Sequence, residues 1–93
     1  MYYELMELND GTTIVFSNIE KNNGKETVKV KMERWSEAHD DFDSMEIELP
    51  KGRMSKVVGY NKEEVENLEK YILHMEPLIF RFSRQGGIGK RRK

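Results

Sequence analysis

Two segments of the sequence alternate between apolar and polar residues. In the first segment, Val28, Val30 and Met32 alternate with Lys29, Lys31 and Glu33. In the second segment, Met45, Ile47 and Leu49 alternate with Ser44, Glu46 and Glu48. A period of two is typical of a strand with one buried and one solvated face. If the two strands pair, their lysines and glutamates share the solvent face, where each cross-strand pair contributes about 0.2 to 1 kcal/mol and helps to set the register.

Turn signals mark the other strand candidates. Asn9-Asp10-Gly11 separates the aromatic and aliphatic segment 2–8 from the β-branched and apolar segment 12–19, a pattern that predicts a hairpin. A second turn cluster at 21–25 leads into the first alternating strand, and a polar loop at 36–43 joins it to the second. Pro50-Lys51-Gly52 ends that strand, and segment 55–60 is a candidate fifth strand.

An amphipathic helix is predicted after these strands. Asn61 is a good N-cap, and Glu63 and Glu64 suit the helix dipole in the first turn. The apolar stripe at helical spacing consists of Val65, Leu68, Ile72 and Met75. Pro77 is expected to end the helix near residues 74–76, and residues 78–83 are predicted to form a final strand.

Together the elements predict a small α+β domain. We expect an antiparallel β-sheet of four to six short strands, a meander of β-hairpins, with one amphipathic α-helix packed on one face. The expected order is βββββαβ. A chain of 93 residues makes one domain, which buries only about 60 to 65% of the surface that it exposes when unfolded. The domain is assigned to residues 1–85, and residues 86–93 are a glycine-rich, flexible basic tail.

The composition points to the cytoplasm. The sequence has no cysteine, so disulfides and thiolate zinc sites are excluded, which fits a reducing compartment. No apolar run approaches the ~20 residues of a membrane-spanning helix, and segment 1–8 carries two glutamates where a signal peptide would be apolar. We therefore expect a cytoplasmic protein with no membrane association.

Charge is distributed unevenly along the chain. Up to Phe80 there are 10 basic and 17 acidic residues, a balance of −7, whereas six basic and no acidic residues follow. Such asymmetry is typical of an interaction tail, although a tail lying on the acidic surface of its own domain would have the same composition.

Little in the sequence suggests catalysis or ligand binding. The loop 36–43 holds one histidine and four carboxylates, but it departs from the calcium-loop template because Met45 occupies an acidic position. The spacing of Arg84, Gly87 and Gly89 resembles the pyrophosphate loop of the GNAT acetyltransferases, yet only four residues follow, too few for the helix that such a loop requires. Without cysteine and with two histidines, the chain offers few catalytic groups. We expect no catalytic residue, no metal and no cofactor.

The leading functional hypothesis is a non-enzymatic binding module, of inhibitor or adaptor type, for another protein. Trp35 follows the parity of Lys29 and Lys31, which predicts that it lies on the solvent face and is available for contact. The predicted protein-binding residues, on an acidic sheet face and loop, are Trp35, Glu37, Asp40, Asp41, Asp43, Glu46 and Glu48. The alternative is nucleic-acid binding, with Trp35 stacking on a base and with phosphate contacts from Arg81, Arg84, Lys90, Arg91, Arg92 and Lys93.

Overall fold

The fold is a single antiparallel sheet with two helices on one face. The computed structural model describes residues 2–50 and 52–86, apart from the side chain of Asn22. The strands are β1 (Tyr2–Glu7), β2 (Thr13–Ser17), β3 (Glu20–Asn22), β4 (Lys25–Ser36), β5 (Asp41–Leu49) and β6 (Ser55–Val58). The helices are α1 (Lys62–His74) and α2 (Glu76–Gln85). The predicted α+β class and antiparallel sheet are confirmed.

The sheet is built from hairpins between neighbouring segments. The strand order is β1-β2-β4-β5-β6, and β3 pairs with the beginning of β4. Asn23 and Gly24 connect β3 to β4, and both have positive φ angles, 54° and 81°. Two-residue hairpin loops favour such residues because their twist matches that of the strands. The predicted turn cluster at 21–25 is therefore only two residues long, and its flanks belong to strands.

The two alternating strands pair, and their lysines and glutamates share one face as expected. Lys29 lies opposite Glu48 and Lys31 lies opposite Glu46. The pairing continues beyond the predicted strand ends, through Trp35 opposite Phe42 to Ser36 opposite Asp41. The predicted loop at 36–43 is therefore wrong at both ends, and only residues 37–40 form the turn. Most residues in this extension of the hairpin are polar, and for that reason the sequence favoured a loop.

One face of the sheet forms the core with the helices. We call this the inner face and the opposite side the outer face. The buried apolar residues are Ile14, Phe16, Val28, Val30, Met32, Met45, Ile47, Leu49, Tyr60, Ile72 and Ile79. The apolar positions of both alternating strands are among them, as predicted. A hydrogen bond from the Tyr71 hydroxyl to the sulfur of Met6, at 3.2 Å, also joins α1 to β1.

Helix α1 begins and ends where the sequence predicts. The side chain of Asn61 accepts a hydrogen bond from the N–H of Glu64 at 2.8 Å, and the Glu64 carboxylate accepts one from the N–H of Asn61 at 3.0 Å. This reciprocal pair is a capping box, which satisfies two N–H groups at the helix start. Ile72 is fully buried, and the helix ends at His74.

The predicted strand at 78–83 is wrong, because these residues belong to helix α2. Pro77 lies in the first turn of that helix, where its missing N–H leaves no hydrogen bond unmade. Ile79 and Ser83, four residues apart, are its buried positions, and the Ser83 hydroxyl donates to the carbonyl of Ser17 at 2.8 Å. Gly86 ends the helix with a φ of 83°. Residues 87–93 of the predicted tail lie outside the described residues.

Among residues 2–50 and 52–86, no helix is long and apolar enough to cross a membrane. The helices α1 and α2 have 13 and 10 residues, against the ~20 that a span requires.

Candidate functional site

Two large aromatic side chains lie exposed on the outer face of the sheet. Trp35 on β4 is 53% exposed and Phe42 on β5 is 52% exposed. They lie opposite each other across the hairpin, with ring centroids 5.2 Å apart in an edge-to-face arrangement. Val58, which is 56% exposed and opposite Ser44, adds an apolar residue to the same face. The prediction that Trp35 faces solvent is confirmed.

Phe42 was missed in the sequence because it fell within the predicted loop at 36–43. The signal for it was the register itself. Once Lys29 is placed opposite Glu48 and Lys31 opposite Glu46, continuing the same pairing places Trp35 opposite Phe42. An aromatic pair of this kind stabilises the hairpin by about 0.5 to 1.5 kcal/mol beyond the burial of its area.

Four exposed carboxylates surround the aromatic pair in sequence. Glu33, Glu37, Asp40 and Asp41 each lie within two residues of Trp35 or Phe42, and all four are exposed. We call these four residues the acidic rim. Among the residues that the structure describes, none of the four takes part in an ion pair. This end of the hairpin therefore combines apolar rings with carboxylates that form no ion pair with another described residue, and it contains the predicted residues Glu37, Asp40 and Asp41.

Glu46 and Glu48 lie further along the outer face, in mixed surroundings. Lys56 forms an ion pair with Glu46 at 3.4 Å, and both glutamates lie opposite lysines of β4 in the strand register. They help to line an open groove of about 770 Å³ whose other charged walls include Lys25, Lys29 and Arg53. Because positive and negative charges alternate there, this part of the face is closer to neutral than the acidic rim.

The structure places Asp43 away from the outer face. Asp43 is only 4% exposed and lies opposite Arg34 on the inner face, so it cannot contact a partner through the solvent-facing surface. Its Oδ2 accepts a hydrogen bond from Nε of Arg34 at 3.0 Å. Gly59 packs against Asp43 so closely that an added Cβ would collide with the carboxylate. The sequence-based assignment of Asp43 to the binding surface is corrected accordingly.

Arg34 connects Asp43 to three other segments of the chain. Its Nη1 donates to Asp10 at 2.9 Å and to Glu64 at 2.8 Å, and its Nη2 donates to Glu64 at 3.2 Å and to the carbonyl of Gly59 at 3.4 Å. The guanidinium also stacks on the ring of Tyr60, at 4.1 Å from the centroid. With all its donors engaged, Arg34 joins the sheet to the start of α1 and has no N–H left for a ligand.

The network shifts the pKa values of its members. Hydrogen bonds to Glu64 outweigh desolvation and raise the pKa of Arg34 above its usual value. The same guanidinium lowers the pKa of Glu64 and of Asp43 through hydrogen bonds and charge. For Asp10, desolvation acts in the opposite direction, but hydrogen bonds from Thr12 and Arg34 lower the pKa overall. Burial raises the pKa of the Tyr60 phenol.

Ser36, His39 and Asp43 come together without forming a catalytic triad. The Ser36 hydroxyl and the Asp43 carboxylate both contact Nδ1 of His39, each at 3.2 Å. In a catalytic triad, the serine hydroxyl contacts one ring nitrogen of the histidine base, and the carboxylate that orients the ring contacts the other nitrogen. The three residues instead form a hydrogen-bonded cluster at the turn between β4 and β5.

The described residues contain no group of three or more histidine, aspartate or glutamate side chains arranged to hold a metal ion. The acidic rim is spread over two strand ends and a turn. The arrangement is therefore that of a charged surface.

The basic candidates lie on helix α2 or beyond it. Arg81 is exposed. Arg84 is in an ion pair with Glu26 at 2.9 Å and lies over the ring of Phe80. Lys90, Arg91, Arg92 and Lys93 lie outside the described residues. The helix also changes the context of the glycine-rich segment, since a helix and not a strand precedes Gly86.

No known protein family, curated protein or solved structure matches this chain. The surface itself is thus the basis for a functional proposal.

Proposed function

We propose that this chain is a non-enzymatic binding module that docks another protein on the outer face of its sheet. The observation that carries the proposal is the exposed pair Trp35 and Phe42, with the acidic rim around it. As part of the same proposal, the module acts in the cytoplasm as an inhibitor or adaptor.

The position of the pair supports contact with a partner. Both rings lie on the face opposite the helices, so the core described above is complete without them. Tryptophan is enriched among the residues that dominate binding energy at protein interfaces, where it becomes fully desolvated. Both residues are about half exposed in the isolated chain, which leaves apolar area to be buried on association.

The acidic rim fits the expected anatomy of such a surface. Protein interfaces commonly have an apolar centre and a polar border, and border charges steer association and suppress wrong partners. Glu37, Asp40 and Asp41 would supply that border here. Glu46 and Glu48 are proposed to contribute at its far side, where their charge is partly offset by lysines.

The nucleic-acid alternative stays a prediction, and one observation weighs against it. The ion pair between Arg84 and Glu26 neutralises one of the basic residues that a phosphate would need. The acidic body would also repel phosphates at long range.

Site-specific crosslinking in an extract of the source organism tests the proposal. A photoreactive benzophenone analogue of phenylalanine at position 42 is expected to capture a protein. The same analogue at position 78, an exposed site on helix α2, is the matched control and is expected not to capture it. The proposal requires capture to survive nuclease treatment and to disappear with Trp35→Ala. Loss of capture on nuclease treatment would favour the nucleic-acid alternative, and equal capture from positions 42 and 78 would contradict the proposed face.

A further inference from the structure

The aromatic pair differs in its neighbours from the exposed ring of Tyr2 and the half-buried ring of Phe80. Tyr2 has the ammonium of Lys31 at 4.7 Å from its centroid, and Phe80 has the guanidinium of Arg84 at 5.7 Å. Trp35 and Phe42 contact each other instead. In their edge-to-face arrangement, with planes at 80°, one ring directs its edge at the other. At least one ring therefore keeps both faces outside the pair contact.

The negative charge of the acidic rim is not neutralised by ion pairs within the described part of the chain. Its four carboxylates form no ion pair among the described residues, whereas Asp10, Asp43 and Glu64 share Arg34. The nearest basic residue on the inner face, Arg34, has no free donor. A cation arriving at this end of the hairpin would thus meet both an aromatic face and several carboxylates.

From these two features we infer that the partner presents a basic, extended peptide segment, with an arginine or lysine side chain placed over Trp35 and its neighbours paired with the acidic rim. This inference rests on the proposed function and specifies the chemistry of its partner. Tryptophan is the aromatic residue that attracts cations most strongly, and arginine is the cation found most often in such contacts. An extended segment directs alternate side chains to one side, which lets two cations face the same surface.

A defined peptide makes the inference testable. The probe is an eight-residue peptide in which four arginines alternate with serines. Its controls replace arginine by citrulline, which is uncharged, or by glutamate. Because Trp35 is the only tryptophan of the chain, its fluorescence reports binding at this site directly. We expect the arginine peptide to change the emission of Trp35 saturably. The citrulline peptide is expected to bind at least about ten-fold more weakly, since its charge attraction to the acidic rim is lost.

Two triple variants separate local from long-range charge. Glu37→Gln, Asp40→Asn and Asp41→Asn remove three rim charges, and asparagine suits the positive φ of 53° at position 40. Glu4→Gln, Glu7→Gln and Glu20→Gln change the net charge equally at other exposed sites. We expect affinity for the arginine peptide to fall about ten-fold or more in the rim variant and less than about two-fold in the control.

Replacing the ring tests the aromatic contact. Trp35→Leu keeps an apolar side chain but removes the aromatic face, and binding is then followed by the anisotropy of a labelled peptide. A loss of about two- to five-fold is expected, which corresponds to an exposed cation–aromatic contact.

Several outcomes would overturn the inference. These are an unchanged Trp35 emission, equal binding of the citrulline or glutamate peptide, equal losses in the two triple variants, or no effect of Trp35→Leu. If these outcomes occur while crosslinking through position 42 persists, the inference of a basic peptide partner is refuted and the proposed docking face is retained. The variant Lys90→Gln, Arg91→Gln, Arg92→Gln and Lys93→Gln is expected to bind the peptide within two-fold of wild type. A ten-fold gain would mean that the chain's own basic residues occupy the site, and it would overturn the assignment of a separate partner.

Discussion

At the scale of single residues, Arg34 has the largest structural role outside the apolar core. It makes five hydrogen bonds, and its partners Asp10 and Glu64 are 24 and 30 residues away in the sequence, on opposite sides of it. Each hydrogen bond to a charged group contributes about 1.5 to 3 kcal/mol to stability. Loss of the Arg34 side chain therefore weakens the contacts of several chain segments at once. Arginine suits the position because its planar fork binds carboxylates with two donors at once.

We predict that Arg34→Met lowers the free energy of unfolding by at least about 2 kcal/mol, because it leaves buried and half-buried carboxylates without their cation. Arg34→Lys should recover only part of this loss, since an ammonium cannot reproduce the fork. Urea titration measures both. The control is Arg81→Met on the exposed side of α2, expected to change stability by less than about 0.5 kcal/mol. Equal effects of Arg34→Met and Arg81→Met would refute the structural role.

The lowered pKa values of Asp10, Asp43 and Glu64 predict loss of stability in acid. A carboxylate whose pKa is lower in the folded than in the unfolded chain stabilises the fold above its unfolded pKa, about 4. That stabilisation is lost as the pH falls through the folded pKa. We expect the free energy of unfolding to decline below about pH 5, and to decline less steeply in Arg34→Met. Parallel pH profiles of wild type and variant would argue that Arg34 does not lower these pKa values.

At the scale of elements, α2 decides the arrangement of the C-terminal part of the described chain. Ile79, Phe80 and Phe82 are of types favoured in strands, which is why the sequence predicts a strand there. In a strand, Ile79, Arg81 and Ser83 would share one face. In the structure Ile79 and Ser83 are buried and Arg81 is exposed, which is helical spacing. Packing against β2 therefore overrides local propensity.

We predict that Ile79→Ala costs roughly 2 to 5 kcal/mol of stability, because it leaves a cavity between α2 and the sheet. Leu78→Ala, at a neighbouring site on the same helix that is 38% exposed, is the control and should cost less than about 1 kcal/mol. Denaturant titration distinguishes them. Similar losses at both positions would be inconsistent with the helical arrangement of this segment.

The difference between local sequence pattern and three-dimensional packing explains which parts of the site could be predicted. Alternation along β4 predicts the exposure of Trp35 from its parity. The register that pairs Lys29 with Glu48, when continued, gives the position of Phe42. Asp43 shares the parity of Met45 and so belongs to the inner face, but the assumption of a loop concealed this. The partners of Arg34 could not be predicted, because they depend on how the turn at Asp10 and the start of α1 meet in three dimensions.

At the scale of the whole molecule, the two faces of the sheet have different roles. The inner face and the helices form the core, and Arg34 closes the network between them. The outer face has Trp35, Phe42 and the acidic rim at one end and mixed charges at the other. The residues of the inner face are explained by their role in the core. The residues of the outer face are the basis of the proposal that the chain binds another protein.

The most direct test of that proposal is fluorine NMR of Trp35. Labelling with 5-fluorotryptophan gives one resonance, because the chain has one tryptophan. In an extract of the source organism treated with nuclease, we expect this resonance to shift or broaden relative to buffer of equal viscosity, and the rim variant Glu37→Gln, Asp40→Asn and Asp41→Asn to reduce the effect. A resonance that keeps the same position and width in extract and in buffer would contradict the central claim that this face docks a protein.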